Sequence, residues 1–246
     1  MFDAEPYFQR SKWPLQALVF IVPFLLFYEV GVAYFGPSTQ ILARSVLLRL
    51  LQQFGDVGPY IAGLTVVAVL IGWHMARRDP LRLDWRLYLG MGAESIALAV
   101  PLLMFALLWG RQAVATELAA LAGNGQAEPT FMAYVVTSVG AGIYEELVFR
   151  LFVIAMLYTV FVEVIGLRHL HGAVLAIVGA AALFAAYHFG VRNPFSWEKF
   201  FFYLLAGVYL GIVFVLRSFG IVVGVHAFYD IFYAAIQHDL FADPAG

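Results

Sequence analysis

The longest apolar stretch of the sequence is FMAYVVTSVGAGIYEELVFRLFVIAMLYTVFVEVI, residues 131–165. A helix needs about 20 mostly apolar residues to cross a bilayer, so this stretch is longer than one ordinary span. It predicts either one long tilted helix or two helices broken near Gly140-Ala141-Gly142. Its middle carries Glu145, Glu146 and Arg150, at a depth where ionisable groups are costly. The sequence therefore predicts a membrane segment with charged side chains inside the bilayer.

The composition of the whole chain is typical of membrane proteins. Of its 246 residues, 63% are hydrophobic and 12% are charged, whereas soluble domains are roughly half apolar and about a quarter charged. The net charge of −2 argues against a nucleic-acid partner. The sequence has no cysteine, which excludes thiol nucleophiles, zinc–thiolate sites, disulfides and palmitoylated cysteines. We expect a single membrane domain over residues 1–246.

Six other apolar segments are candidate spans: residues 15–35, 57–75, 87–109, 172–189, 200–216 and 219–236. The shorter segment 41–54 carries Arg44 and Arg49, which predicts a helix lying in the membrane interface. The predicted fold class is all-α, a polytopic transmembrane bundle of about seven to eight helices with one interfacial helix.

The distribution of basic residues indicates an orientation. If the N-terminus is cytoplasmic, the cytoplasmic side of the predicted topology carries eight Lys and Arg residues and the opposite side carries five. The positive-inside rule then favours a cytoplasmic N-terminus. We expect an integral protein of a prokaryotic cytoplasmic membrane.

Three groups of ionisable residues lie inside the C-terminal apolar segments. In the first group, Glu146 and Arg150 are four residues apart and can pair on one helix face. Glu145 is about 100° away around the helix and has no such partner. A buried ion pair that fixes helix packing would explain Glu146 and Arg150, but it would leave Glu145 unexplained.

The other two groups contain histidines. His188 follows Phe184 by four residues at the end of an apolar segment, and His226 precedes Asp230 by four residues within the last span. Each group alone is compatible with a structural role, as a hydrogen-bonded histidine or a polar pair between helices. Gathered around one cavity, the histidines and carboxylates would supply general acid–base catalysis on a water molecule.

These motifs resemble those of a known family. The patterns Glu-Glu-x-x-x-Arg, Phe-x-x-x-His and His-x-x-x-Asn/Asp, in this order on separate membrane helices, are similar to those of the CPBP family. This family includes the CAAX prenyl endopeptidases and bacteriocin-processing or immunity proteins. The resemblance covers roughly residues 131–236, which we expect to form a catalytic helical core. Residues 1–130 would supply N-terminal spans without motifs.

The resemblance implies a glutamate-type intramembrane endopeptidase. In that reading Glu145 is the general base, and His188 helps it to hold and orient the attacking water. His226 and Asp230 polarise the scissile carbonyl and stabilise the oxyanion. The remaining two motif residues, Glu146 and Arg150, form a supporting ion pair.

Asp230 departs from the pattern of the prenyl-protease branch, which usually has asparagine at this position. An asparagine amide can donate a hydrogen bond to an oxyanion, whereas an ionised aspartate can only accept one. We therefore expect Asp230 to orient His226 and keep its imidazole charged, so that the imidazolium is the donor.

The implied substrate is a membrane-anchored protein or peptide, either prenylated or carrying a C-terminal transmembrane sorting tail. No cofactor is expected. One alternative is a metal-dependent protease in which Glu145, His188, His226 and Asp230 bind a divalent ion such as zinc. A second is a non-catalytic immunity or scaffold protein, or a small transporter. A third, an acyl-transfer enzyme, lacks a nucleophile paired with a base.

Overall fold

The computed structural model describes residues 6–39, 41, 43–45, 58–109, 130–189 and 194–241. Within these residues, all regular elements are helical, and the all-α prediction is confirmed. The seven long helices are α1 (Pro14–Phe35), α2 (Gly58–Arg77), α3 (Trp85–Trp109), α4 (Phe131–Val164), α5 (His169–Tyr187), α6 (Trp197–Leu216) and α7 (Phe219–Phe241). A short helix, Tyr7–Arg10, precedes α1, and a 3-10 turn, Gly36–Thr39, follows it.

Among the described residues, six helices are long and apolar enough to cross a membrane, namely α1 and α3 to α7. A shorter apolar helix, Gly63–Arg77, is described within α2. Large apolar side chains such as Val30, Leu108 and Leu183 are exposed on the outside of the bundle, as expected for a surface that faces lipid. The chain is therefore an integral membrane protein. Most of the predicted interfacial helix at 41–54 lies outside the described residues.

Helix α4 is one continuous helix and is not broken at Gly140 or Gly142. Its α-helical first part ends at Glu146, and a π-helical segment, Leu147–Ile154, follows directly. A second π-helical segment occupies Val160–Val164. Wide turns of this kind are rare and often lie at functional sites. Here the change of helix type comes immediately after the paired glutamates.

Gly140 and Gly142 do not interrupt α4 but allow neighbouring helices to pack closely against it. A Cβ atom at Gly140 would come within 2.2 Å of the Tyr28 ring on α1. At Gly142 it would lie 2.9 Å from the backbone oxygen of Val223 and 3.0 Å from Ala227, both on α7. Small residues let the backbones of membrane helices approach closely. This close packing matters because the hydrophobic effect does not drive helices together in lipid. These glycines therefore bring α1 and α7 against the motif-bearing part of α4.

A second small-residue contact joins α5 and α6 at Gly207 and Gly211, which lie one turn apart on α6. Added Cβ atoms at these glycines would come within 3.0 Å of Ala181 and 2.9 Å of Ile177 on α5. Helix α5 also packs on the π-helical part of α4. Helices α5 and α7, which carry the second and third motifs, therefore both pack on α4, which carries the first.

Candidate active site

The paired charges on α4 are buried in the bundle. Glu146 is 0% exposed and Arg150 is 1% exposed. Their ion pair joins Arg150 Nε and Glu146 Oε2 at 3.0 Å, one helical turn apart as the sequence spacing predicts. The Arg150 guanidinium also lies 4.4 Å from the centre of the Phe184 ring on α5, a favourable cation–π arrangement. Arg150 thereby links the first motif to the second.

Glu146 has a second partner that the sequence did not indicate. Its Oε1 lies 2.6 Å from Nδ1 of His226 on α7. The carboxylate therefore bridges Arg150 and His226, one partner on each oxygen. The i,i+4 spacing had suggested Asp230 as the partner of His226, but Glu146 is the closer group. Spacing along one helix cannot reveal a partner contributed by another helix.

The other nitrogen of His226, Nε2, faces two further carboxylates. Asp230 Oδ2 lies 3.5 Å away and Glu145 Oε2 lies 4.0 Å away. Glu145 and His226 are both buried, whereas the Asp230 side chain is 28% exposed. The imidazole is thus surrounded by Glu146 on one side and by Glu145 and Asp230 on the other.

His188 follows the last residue of α5 and adopts the C-cap position. Its Nδ1 lies 2.8 Å from the carbonyl oxygen of Phe184, and since a carbonyl can only accept, Nδ1 carries the proton of this bond. The ring stacks on Tyr203 of α6 at 4.0 Å between centroids. These contacts orient the His188 ring.

Phe184 lies between the three motifs. Its ring centre is 4.6 Å from the His188 ring and 6.2 Å from the His226 ring, in addition to its contact with Arg150. The structure therefore brings the three predicted groups together around one site. This convergence is what distinguishes the cluster from scattered structural polar residues.

Two tyrosines of the site were not singled out from the sequence. The Tyr187 phenol faces the Glu145 carboxylate, and its position directly before His188 was the available signal. Tyr203 lies in an apolar segment without a motif, so its stacking on His188 had no signal in the sequence. Both enclose the site with aromatic surface.

A metal-binding site is the main alternative for these residues. In the part of the chain that the structure describes, no three His, Asp or Glu side chains form a group that could hold a metal ion. The absence of a cofactor and the metal-dependent alternative both remain predictions that need an experiment.

Comparison with known proteins finds one family model that part of the chain matches. Residues 127–232 match the model of the type II CAAX prenyl endopeptidase Rce1-like family. Neither a curated protein nor a solved structure matches the chain significantly. The matched segment contains all three motifs and agrees with the resemblance to CAAX proteases that they carry. Residues 127–232 are therefore similar to the Rce1-like family of type II CAAX prenyl endopeptidases.

Proposed function

We propose that this protein is an intramembrane endopeptidase that hydrolyses a peptide bond of a membrane-attached substrate, with Glu145 activating the attacking water. One observation carries the proposal: Glu145 and His226, which are buried and come from different helices, face each other with 4.0 Å between Oε2 of the glutamate and Nε2 of the histidine. Hydrolysis by water needs a base that activates the water and a hydrogen-bond donor for the carbonyl oxygen, and these two residues can supply them.

Glu145 takes a proton from water as the water oxygen attacks the scissile carbonyl carbon. His188 assists by accepting a hydrogen bond at Nε2 from the other O–H of the water, since its Nδ1 is engaged by Phe184. The carbonyl oxygen becomes an oxyanion in a tetrahedral intermediate. When the intermediate collapses, the C–N bond breaks and the protonated Glu145 returns its proton to the leaving nitrogen. The products are a carboxylic acid and an amine, which exchange a proton to give a carboxylate and an ammonium group.

His226 stabilises the oxyanion in this mechanism. Its Nδ1–H donates to Glu146, so Nε2 can also donate only when the ring is the doubly protonated imidazolium. Asp230 at 3.5 Å supplies countercharge on the Nε2 side. Glu146 orients the ring, and Arg150 in turn holds Glu146. The supporting role of Asp230 that we expected from the sequence is therefore shared with Glu146.

The position of the site and the similarity to the CAAX endopeptidase family support a membrane-attached substrate. A reaction centre at bilayer depth favours a peptide attached to the membrane over a freely soluble protein. The family is named for prenylated CAAX peptides, which makes a prenylated C-terminus the first substrate to test. A transmembrane sorting tail is the other form of attachment.

The test compares the wild-type protein with Glu145→Gln, both reconstituted in lipid nanodiscs, on a fluorescence-quenched farnesylated CAAX peptide. We expect the wild type to cleave the peptide, and Glu145→Gln to lose at least about 100-fold in rate while keeping its thermal stability. Membrane proteomics of cells that carry either form should show an uncleaved precursor accumulating with the variant. Equal cleavage by both forms, or no changed protein terminus in the cells, would overturn the proposal.

A further inference from the structure

A second polar network lies against α4 on the side of α1. The Oε2 atom of Glu29 lies 2.9 Å from Nη2 of Arg44, and its Oε1 accepts a hydrogen bond of 2.7 Å from the Tyr144 hydroxyl. Glu29 and Arg44 both lie outside the segment that matches the family model. Tyr144 is the residue directly before Glu145. The network thus joins the N-terminal part of the chain to the turn of α4 that carries the proposed base.

This network places charges where a membrane protein would ordinarily have apolar side chains. Arg44 is only 4% exposed, and the Glu29 side chain is 33% exposed within the apolar helix α1. A charge within an apolar membrane helix, such as that of Glu29, is costly and usually marks a functional role. A buried ion pair is in general no more stabilising than well-packed apolar residues of similar size. Stability alone is therefore a poor explanation for this pair.

Aromatic packing reinforces the same contact. The Arg44 guanidinium lies 5.7 Å from the Tyr28 ring centre, and the rings of Tyr28 and Tyr144 are 5.5 Å apart. Tyr28 also lies against Gly140, one turn before Tyr144. Nearby, the Tyr187 phenol faces both the Glu145 carboxylate and the backbone of Ala43. The segment that supplies Arg44 is therefore linked to two neighbours of Glu145, to Tyr144 through Glu29 and to Tyr187 through Ala43.

The hydrogen bond between Tyr144 and Glu29 bears on the proposed base because Tyr144 directly precedes Glu145 on α4. Successive residues of a helix point about 100° apart, so a bond that restrains the Tyr144 side chain also restrains the helical turn from which Glu145 projects. Regular α-helix ends at Glu146, and the wider π-helical turns begin at the next residue. Because the helix type changes at this point, a contact from another helix can determine how the turn that carries Glu145 is rotated.

We infer that Glu29 and Arg44 are positioning residues that hold Tyr144, and through it direct Glu145 toward His226. This inference rests on the proposed function of Glu145. It predicts that losing the Tyr144 hydrogen bond lowers kcat and leaves substrate binding largely unchanged.

The structure offers a matched control at another part of the bundle. Tyr7 donates a hydrogen bond of 2.6 Å to Glu94, and Glu94 in turn pairs with Arg217. This network has the same three residue types, but no motif residue takes part in it. Tyr7→Phe and Tyr144→Phe therefore remove equivalent hydrogen bonds, and only the second bond lies next to the proposed base.

The first measurement is kcat and KM on the farnesylated peptide for the wild type and both variants. We expect Tyr144→Phe to lower kcat about tenfold with KM within about twofold, since small misplacements of a reacting group are costly. Tyr7→Phe should keep kcat within about twofold. Arg44→Lys, which keeps the charge, should retain more kcat than Arg44→Gln. Equal kcat for the two phenylalanine variants would overturn the inference.

The second measurement needs no substrate and separates this inference from the proposed function. Hydrogen exchange of the backbone amides at residues 143–148 is compared in the same three proteins. We expect roughly tenfold faster exchange at these amides in Tyr144→Phe and no change there in Tyr7→Phe. A wild type that fails to cleave any membrane peptide would refute the proposed function, whereas unchanged exchange in Tyr144→Phe would refute the positioning role.

Discussion

The Nδ1 atom of His226 lies 2.6 Å from Oε1 of Glu146, and the other oxygen of that carboxylate contacts Arg150 at 3.0 Å. This chain of charges connects α7 to α4 in the interior of the bundle. All three residues are buried. The glutamate that spacing pairs with an arginine is therefore also the group that orients the proposed oxyanion donor.

Removing the Glu146 charge should affect both stability and activity. In Glu146→Gln, the amide oxygen can still accept from His226, but Arg150 loses its countercharge while remaining buried. Breaking a buried pair from one side costs about 3–5 kcal/mol, so we expect a loss of that size in the free energy of unfolding, measured in mixed detergent micelles. Cleavage should fall at least about tenfold, because His226 is less firmly oriented.

A double variant separates these two effects. Glu146→Gln combined with Arg150→Met removes both charges, and much of the lost stability should return because no unpaired charge stays buried. Cleavage should stay low, since the carboxylate partner of His226 is still missing. Recovery of cleavage together with stability would show that Glu146 acts only as half of an ion pair.

Asp230→Asn tests whether the carboxylate at this position supports a charged His226. Asparagine keeps the size of the side chain and removes its charge. We expect kcat to fall about 10- to 100-fold, with the free energy of unfolding changed by less than about 1 kcal/mol because the side chain is partly exposed. Steady-state kinetics and thermal unfolding measure the two quantities. An asparagine variant as fast as the wild type would instead favour an amide donor at this position.

Gly142→Ala tests the close approach of α4 and α7. The added Cβ would lie 2.9 Å from the backbone oxygen of Val223, which has no flexible end that could move away. The helices must separate, and we expect a loss of about 1–3 kcal/mol in unfolding free energy together with reduced cleavage. Gly72→Ala on α2 is the control, because a Cβ there meets nothing within 4 Å. It should be neutral or stabilise by up to about 1 kcal/mol, and equal losses in both variants would contradict the packing argument.

Metal removal tests the main alternative mechanism. The proposed reaction uses a carboxylate and two imidazoles, so cleavage should continue at an unchanged rate in excess chelator, and metal analysis of the purified protein should find no bound ion in stoichiometric amount. If chelation abolishes cleavage and added zinc restores it, the metal-dependent alternative is favoured, with Glu145, His188, His226 and Asp230 as the candidate ligands.

Much of the architecture was predictable because membrane insertion depends on local composition. Apolar segments near residues 15–35, 87–109 and 219–236 became helices α1, α3 and α7 with nearly the predicted bounds. The pairing of Glu146 with Arg150 was also predictable, since both lie on one helix at a spacing of one turn. These features need only the sequence of a single segment.

Contacts between helices were decided by the tertiary structure. The partners of Glu29, Glu94 and His226 are Arg44, Arg217 and Glu146, and no periodicity along one helix indicates them. They depend on how each helix is rotated and how closely its small residues allow it to approach a neighbour. The tertiary structure also decided that residues 131–164 form one helix. Neighbouring helices pack against Gly140 and Gly142, and the helix is not broken there.

The sequence by itself thus determined the membrane class, most helix positions and the residues with chemistry to offer, because these follow from composition and from spacing within one segment. The tertiary structure decided that Glu146 holds His226, that Phe184 joins the three motifs and that Glu29 reaches Tyr144. The physical reason is that such contacts form between helices distant in sequence, where packing alone sets the distance between side chains.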